Sequence, residues 1–108
     1  MSRCEKTVYD VVVATISDRV RMRRMLDKGN LTKEQAADFS RKLAALDNAM
    51  IAVCEGESHE AREALLSDIA HRRGYENAEA KRFYTARNTF DRRKAEAVTM
   101  IARMLGLI

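Results

Sequence analysis

The chain has no proline and no tryptophan, only four glycines, and two cysteines in 108 residues. Without proline, nothing in the covalent chain forces a helix to stop. Cys4 and Cys54 are too few for a disulfide framework, so a reducing, cytoplasmic setting is the expectation. No apolar run approaches the roughly 20 residues that a membrane span requires. The N-terminal residues also lack the apolar stretch and small-residue cleavage site of a secretory signal, so no membrane partner is expected. Three Tyr and three Phe are the only aromatics, which leaves a core of Ala, Val, Leu, Ile and Met. A core that light at this length favours self-association, and a homodimer is expected.

What remains is rich in Ala, Leu, Met, Arg, Lys and Glu, the residues that lose least in a helix. The apolar share is 46% and the charged share 33%, mixed in sign, which excludes a disordered chain and fits one domain over residues 1–108. The expected class is all-α, with more than about 70% helix and each glycine at a helix end.

Apolar periodicity divides the chain at its glycines. A first helix is predicted from about Arg3 to Lys28, burying Val8, Val12, Ile16, Val20 and Leu26, with Gly29 at its end. Leu31-Thr32-Lys33-Glu34-Gln35 reads as a staple residue, an N-cap and a Gln at the third helical position, which is a capping box. The second helix then runs to about Cys54 on the stripe Phe39, Leu43, Leu46, Met50, Val53, and Gly56 follows it. Ser58 is the next N-cap, opening a short third helix over His59 to Arg73 that ends at Gly74. Asn77 is expected to cap a long fourth helix reaching about Leu105, with Gly106 behind it. Short connections favour antiparallel neighbours, so the expected architecture is an up-down bundle of about four helices.

The fourth helix carries the most information. Phe83, Arg87, Phe90, Lys94, Ala97, Ile101, Met104 and Ile108 recur at alternating steps of four and three, the spacing of a packed seam. A short third helix cannot cover that seam along its length. The expected dimer interface is therefore Phe90, Ala97, Ile101, Met104 and Ile108, paired isologously.

Net charge is +4, and the excess is local. Residues 71–94 hold eight Lys and Arg against Glu76, Glu79 and Asp91. Residues 19–28 hold Arg19, Arg21, Arg23, Arg24 and Lys28 against Asp27. Patches of this kind suit an acidic protein surface or a nucleic acid. Lys81, Arg82, Arg92, Arg93, Arg21 and Arg24 are the candidate partner-binding residues. Four other cations fall within apolar stripes: Arg19 and Arg23 on the first helix, Arg87 and Lys94 on the last. Such side chains either snorkel to water, pair with acids such as Asp38 and Asp47, or surround a phosphate- or carboxylate-bearing ligand. These four are the candidate anion site.

The string Asp68-Ile69-Ala70-His71-Arg72-Arg73-Gly74-Tyr75 resembles the helix-turn-helix turn of AraC-type regulators. Small residues there let two helices approach, and the resemblance implies a second helix able to enter a major groove. It covers about eight residues and then departs. Arg73 stands at a normally apolar position, and the family's Tyr-Phe-x-Arg pattern does not follow in register. If the first two helices form a hairpin near Asn30, Cys4 and Cys54 reach the same end of the bundle, with His59 nearby. Two buried, inert thiols fit better than a metal site, for which ligands are too few. No nucleophilic triad, phosphate loop, paired catalytic carboxylates or cofactor signature is present.

The expectation is thus a small non-catalytic helical regulator, adaptor or inhibitor that binds a macromolecule through basic helix faces, without cofactor or metal. By size and class alone it is analogous to phage- and plasmid-encoded regulators. The alternatives are a DNA-binding regulator using residues 59–93 and a bundle that holds a small anion.

Overall fold

The computed structural model describes residues 5–108; Cys4 and the first three residues lie outside it. The chain is all-α, with 78% helix, five α-helices and no strand among the described residues. The helices are α1 (Lys6–Ser17), α2 (Arg19–Lys28), α3 (Lys33–Val53), α4 (His59–Ala70) and α5 (Arg87–Met104). Two short 3-10 turns, Tyr75–Asn77 and Glu79–Phe83, lie between α4 and α5.

The predicted first helix is two helices. Thr15 and Ser17 turn their hydroxyls back onto the carbonyls of Val11 and Val13, each at 2.8 Å. Arg19 places its guanidinium on the Ile16 carbonyl, also at 2.8 Å. Side chains that compete for carbonyls in this way bend helices. The break falls at Asp18, whose N–H is shared between Ala14 and Thr15. Beyond the bend the apolar stripe loses its phase: Val20, expected inside, is 64% exposed, and Met22 is buried instead.

The start of α3 matches its sequence signature. Gln35 N–H donates to Thr32 Oγ1, and Thr32 N–H donates to Gln35 Oε1, both at 3.1 Å. Leu43, Leu46, Met50 and Val53 are buried along one side, and Phe39 is half-buried under Arg21. Ser58 caps α4 by accepting from Ala61 N–H at 3.1 Å.

In the tertiary arrangement α3 packs on α5 and α2, while α1 packs on α4 and α5. Phe90 sits at the centre, fully buried with Ile16, Leu65, Ile69 and Ile101. The rings of Tyr75 and Tyr84 lie 5.6 and 5.9 Å from its centroid. Burying such a ring contributes about 2–3 kcal/mol.

That centre corrects the expected dimer seam. Phe90, Ala97 and Ile101 are closed inside the protomer, because α1, α3 and α4 together cover what a single short helix could not. Only Met104 and Ile108, at 42% and 59% exposure, remain on the surface.

Candidate functional site

Residues 71–86 were expected to pass from a turn directly into a long helix. They form instead a strap of two short 3-10 turns and their connections, and α5 begins only at Arg87. The strap opens with a Schellman end to α4: Arg73 N–H donates to Asp68 O and Arg72 N–H to Ile69 O. The left-handed position of that motif is Arg72, at φ 54°, and not Gly74, whose φ is −82°. A non-glycine residue there is strained. Arg72 is compensated by its side chain, which pairs with Asp10 of α1 and stacks over Tyr9 at 5.1 Å.

Asp68 fixes where the second 3-10 turn of the strap begins. It lies on the buried side of α4, three and four residues after Leu65 and Ala64, and is fully inaccessible. Its carboxylate accepts from the backbone N–H of Glu79 at 2.7 Å and of Ala80 at 2.8 Å. Arg73 closes the third side at 3.1 Å. Asn77, the predicted cap, makes no side-chain cap bond; the carboxylate of Asp68, eleven residues before Glu79, does the capping. Residues 79–83 do turn, but as a separate 3-10 helix whose first two amides Asp68 satisfies, not as the first turn of α5.

A second cluster fixes the far end of the strap. Tyr84 O–H donates to Glu57 Oε1 at 2.6 Å, and Tyr75 O–H donates to the Tyr84 carbonyl at 3.1 Å. Arg93 donates to the Val53 carbonyl at 2.7 Å and sets its Nε 3.2 Å from Glu57 Oε2, out of line for a hydrogen bond. Burial, with Glu57 alongside, pushes the Tyr84 hydroxyl far above the usual tyrosine range. Cys54, fully buried beside this cluster, has its thiol pushed up to about 11, mainly by burial and then by Glu57. A thiol so placed is inert at neutral pH. Lys94 donates to the Arg73 carbonyl at 2.9 Å, and burial lowers its pKa against the opposing pull of Asp91 and Asp68.

With these contacts the basic excess of residues 71–94 is largely neutralised by acids from elsewhere. Arg72 meets Asp10, Arg73 meets Asp68 and Glu79, and Arg93 meets Glu57 and Glu96. Lys81 reaches Glu76 at 3.5 Å and Arg92 reaches Glu96 at 3.6 Å, both at exposed positions. Arg82 rests over the Phe83 ring at 4.7 Å, and Arg82 and Arg87 meet no acid among the described residues. Of the predicted partner-binding set, Lys81, Arg82 and Arg92 are exposed, as is Arg87, while Arg93 is an internal staple. Arg21 and Arg24 form a separate exposed patch on α2, where Arg21 pairs with Asp18 at 2.6 Å.

The four candidate anion ligands do not converge. Arg19 faces Glu63, Arg23 faces Asp47 as the sequence suggested, Lys94 faces a carbonyl, and Arg87 is exposed. Asp38 is taken by Arg41 and Lys42. The helix-turn-helix resemblance fails on geometry as well. Such a motif joins its helices by a turn of about 3–4 residues, whereas residues 71–86 separate α4 from α5. Arg73, the residue out of pattern, is the one that pairs with Asp68. No group of three or more His, Cys, Asp or Glu able to hold a metal occurs among the described residues, and no helix is long and apolar enough to cross a membrane.

Sequence reasoning gave Asp68 no role beyond its place in the turn motif and passed over Glu57 and Tyr84. Asp68 did leave a signal, being an acid at helical spacing inside the apolar stripe of α4. Comparison with protein-family models, curated proteins and solved structures gives no match.

Proposed function

We propose that this chain is a non-catalytic binding module, a small regulator, adaptor or inhibitor whose strap docks on an acidic protein surface. The observation that carries this is the clamped strap itself. A fully buried carboxylate and a buried tyrosine tie down a sixteen-residue strap of two short 3-10 turns and their connections. Outside them stand Lys81, Arg82 and Arg87, with Arg92 five residues further along α5. Rigidly positioned irregular segments are where binding residues concentrate, since ordering them beforehand lowers the entropy lost on docking. Arg21 and Arg24 supply a second basic patch on α2.

The test is affinity capture from host extract with wild type and with a Lys81→Glu, Arg82→Glu, Arg87→Glu variant, followed by mass spectrometry of the captured proteins. The variant should keep its circular dichroism and melting temperature while losing an acidic protein that wild type releases with added salt. A partner retained equally by both chains overturns the proposal.

One observation favours a second reading, nucleic acid. Arg82 lies over Phe83 and Lys81 over Tyr75 at 5.2 Å, so two rings sit directly under exposed cations. Cations beside rings are what single-stranded nucleic acids use for stacking. Binding of a labelled oligonucleotide that weakens in Phe83→Ala and falls steeply with salt would move the assignment there.

A further inference from the structure

α5 has an outer stripe that the protomer covers only in part, with Met100 packed against the edge of the core and Arg103 exposed. Glu96, Met100 and Arg103 recur at steps of four and three, so they line one side of the helix. They border a groove of about 570 Å³ whose other wall is the end of α3, with Val53 and Glu55. Arg103 meets no acid within the protomer among the described residues. Glu96 is held only loosely, 3.6 Å from Arg92 and 3.7 Å from Arg93. Met104, one residue on from Arg103, is 42% exposed, and Ile108 is 59% exposed beyond it.

The order of charges along this stripe decides what fits it. Glu96 and Arg103 are separated by about 10 Å of helix, with half-buried Met100 between them. A two-fold axis beside Thr99 and Met100, perpendicular to the helix, carries Glu96 of one chain opposite Arg103 of another. The same operation makes the reciprocal pair and sets the two Met100 side chains across the axis. A parallel arrangement in register would set Glu96 against Glu96 and Arg103 against Arg103.

We propose that the occupant of this groove is a second copy of the chain, docked isologously with the two α5 helices antiparallel. The interface is the outer stripe Glu96, Met100, Arg103 with Met104 at its edge. Phe90, Ala97 and Ile101 stay in the protomer core. Because the Glu96–Arg103 contact occurs twice in an isologous pair, each of these charge substitutions counts double.

Sedimentation equilibrium across micromolar to millimolar protein tests this directly. Wild type should associate to a dimer. Glu96→Arg and Arg103→Glu should each weaken association by about tenfold or more, since two attractive contacts become two repulsive ones. Combining both substitutions should restore it. A wild type that stays monomeric throughout, or a double variant no better than the singles, overturns the proposal. A second measurement does not depend on charge. In a Cys4→Ser background, Met100→Cys should form an interchain disulfide on mild oxidation faster than the exposed control Asn88→Cys. Equal rates overturn the antiparallel axis at residue 100.

Discussion

Asp68→Ala removes the group on which the strap depends, and its effect can be built bond by bond. The carboxylate accepts two backbone N–H groups at 2.7 and 2.8 Å, and one of them belongs to Ala80, which is itself fully buried. A hydrogen bond to a charged group contributes about 1.5–3 kcal/mol, and stranding a buried N–H costs about 1–3 kcal/mol. Arg73 adds little to the loss, because it is partly exposed and keeps Ser67 at 3.2 Å and Glu79 at 3.5 Å. The expected destabilisation is about 3–5 kcal/mol, within the range for removing one partner of a buried charge pair. At about 4 °C per kcal/mol, the melting temperature should fall by roughly 12–20 °C. Asp68→Asn keeps one acceptor oxygen but turns an amide N–H₂ toward a second donor, so about 2 kcal/mol is expected. Urea unfolding followed by circular dichroism gives both values. Amide hydrogen exchange should show Glu79 and Ala80 losing protection before Leu65 or Ile101 does. An Asp68→Ala protein within 1 kcal/mol of wild type, with those two amides still protected, would refute the clamp.

Three further outcomes follow from the same structure. Thr32→Ala removes one arm of the capping box and should cost about 1 kcal/mol in urea unfolding. Arg72→Gly and Arg72→Ala both lose the Asp10 pair, but only glycine relieves the left-handed strain. The glycine variant should therefore be the more stable of the two by about 1 kcal/mol, read from their denaturation midpoints. In a Cys4→Ser background, Cys54 should react with a chromogenic disulfide reagent at pH 8 only as fast as the protein opens. Its thiol is raised from 9.0 to about 11, which leaves roughly one-hundredth of the ordinary thiolate before steric exclusion acts. Denaturant should abolish that protection.

The parts of the fold legible in the sequence are those governed by local bonds. Thr32 and Gln35 are three residues apart, as are Ser58 and Ala61, so the starts of α3 and α4 follow from short-range capping chemistry alone. The left-handed ends at Gly29, Gly56 and Gly106 are legible for the same reason. What escaped depends on groups far apart in sequence. The 3-10 turn at residues 79–83 stands apart from α5, with Asp68 on another element receiving the amides of Glu79 and Ala80. Gly74 looked like a helix end because it stands near one, while Arg72 takes the left-handed position with support from Asp10, 62 residues away. The stripe of α5 announced burial correctly at Phe90, Ala97 and Ile101, but periodicity does not say whose core receives it. For the candidate site, Lys81, Arg82 and Arg92 were legible as charged surface, whereas the hold of Glu57 on Arg93 arises only in three dimensions.

The pairing of α1 with α4 and α5 bears on how the chain is made. Val12 and Ile16 are fully buried in the folded protein, and α1 packs mainly on helices that begin at His59 and Arg87. During synthesis α2 and α3 are complete while that apolar face still waits for the C-terminal half. At about 5–20 residues per second the wait lasts several seconds. Nascent chains ending before α4 thus display a sticky amphipathic helix that full-length chains hide, and they are the species that ribosome-associated chaperones would hold.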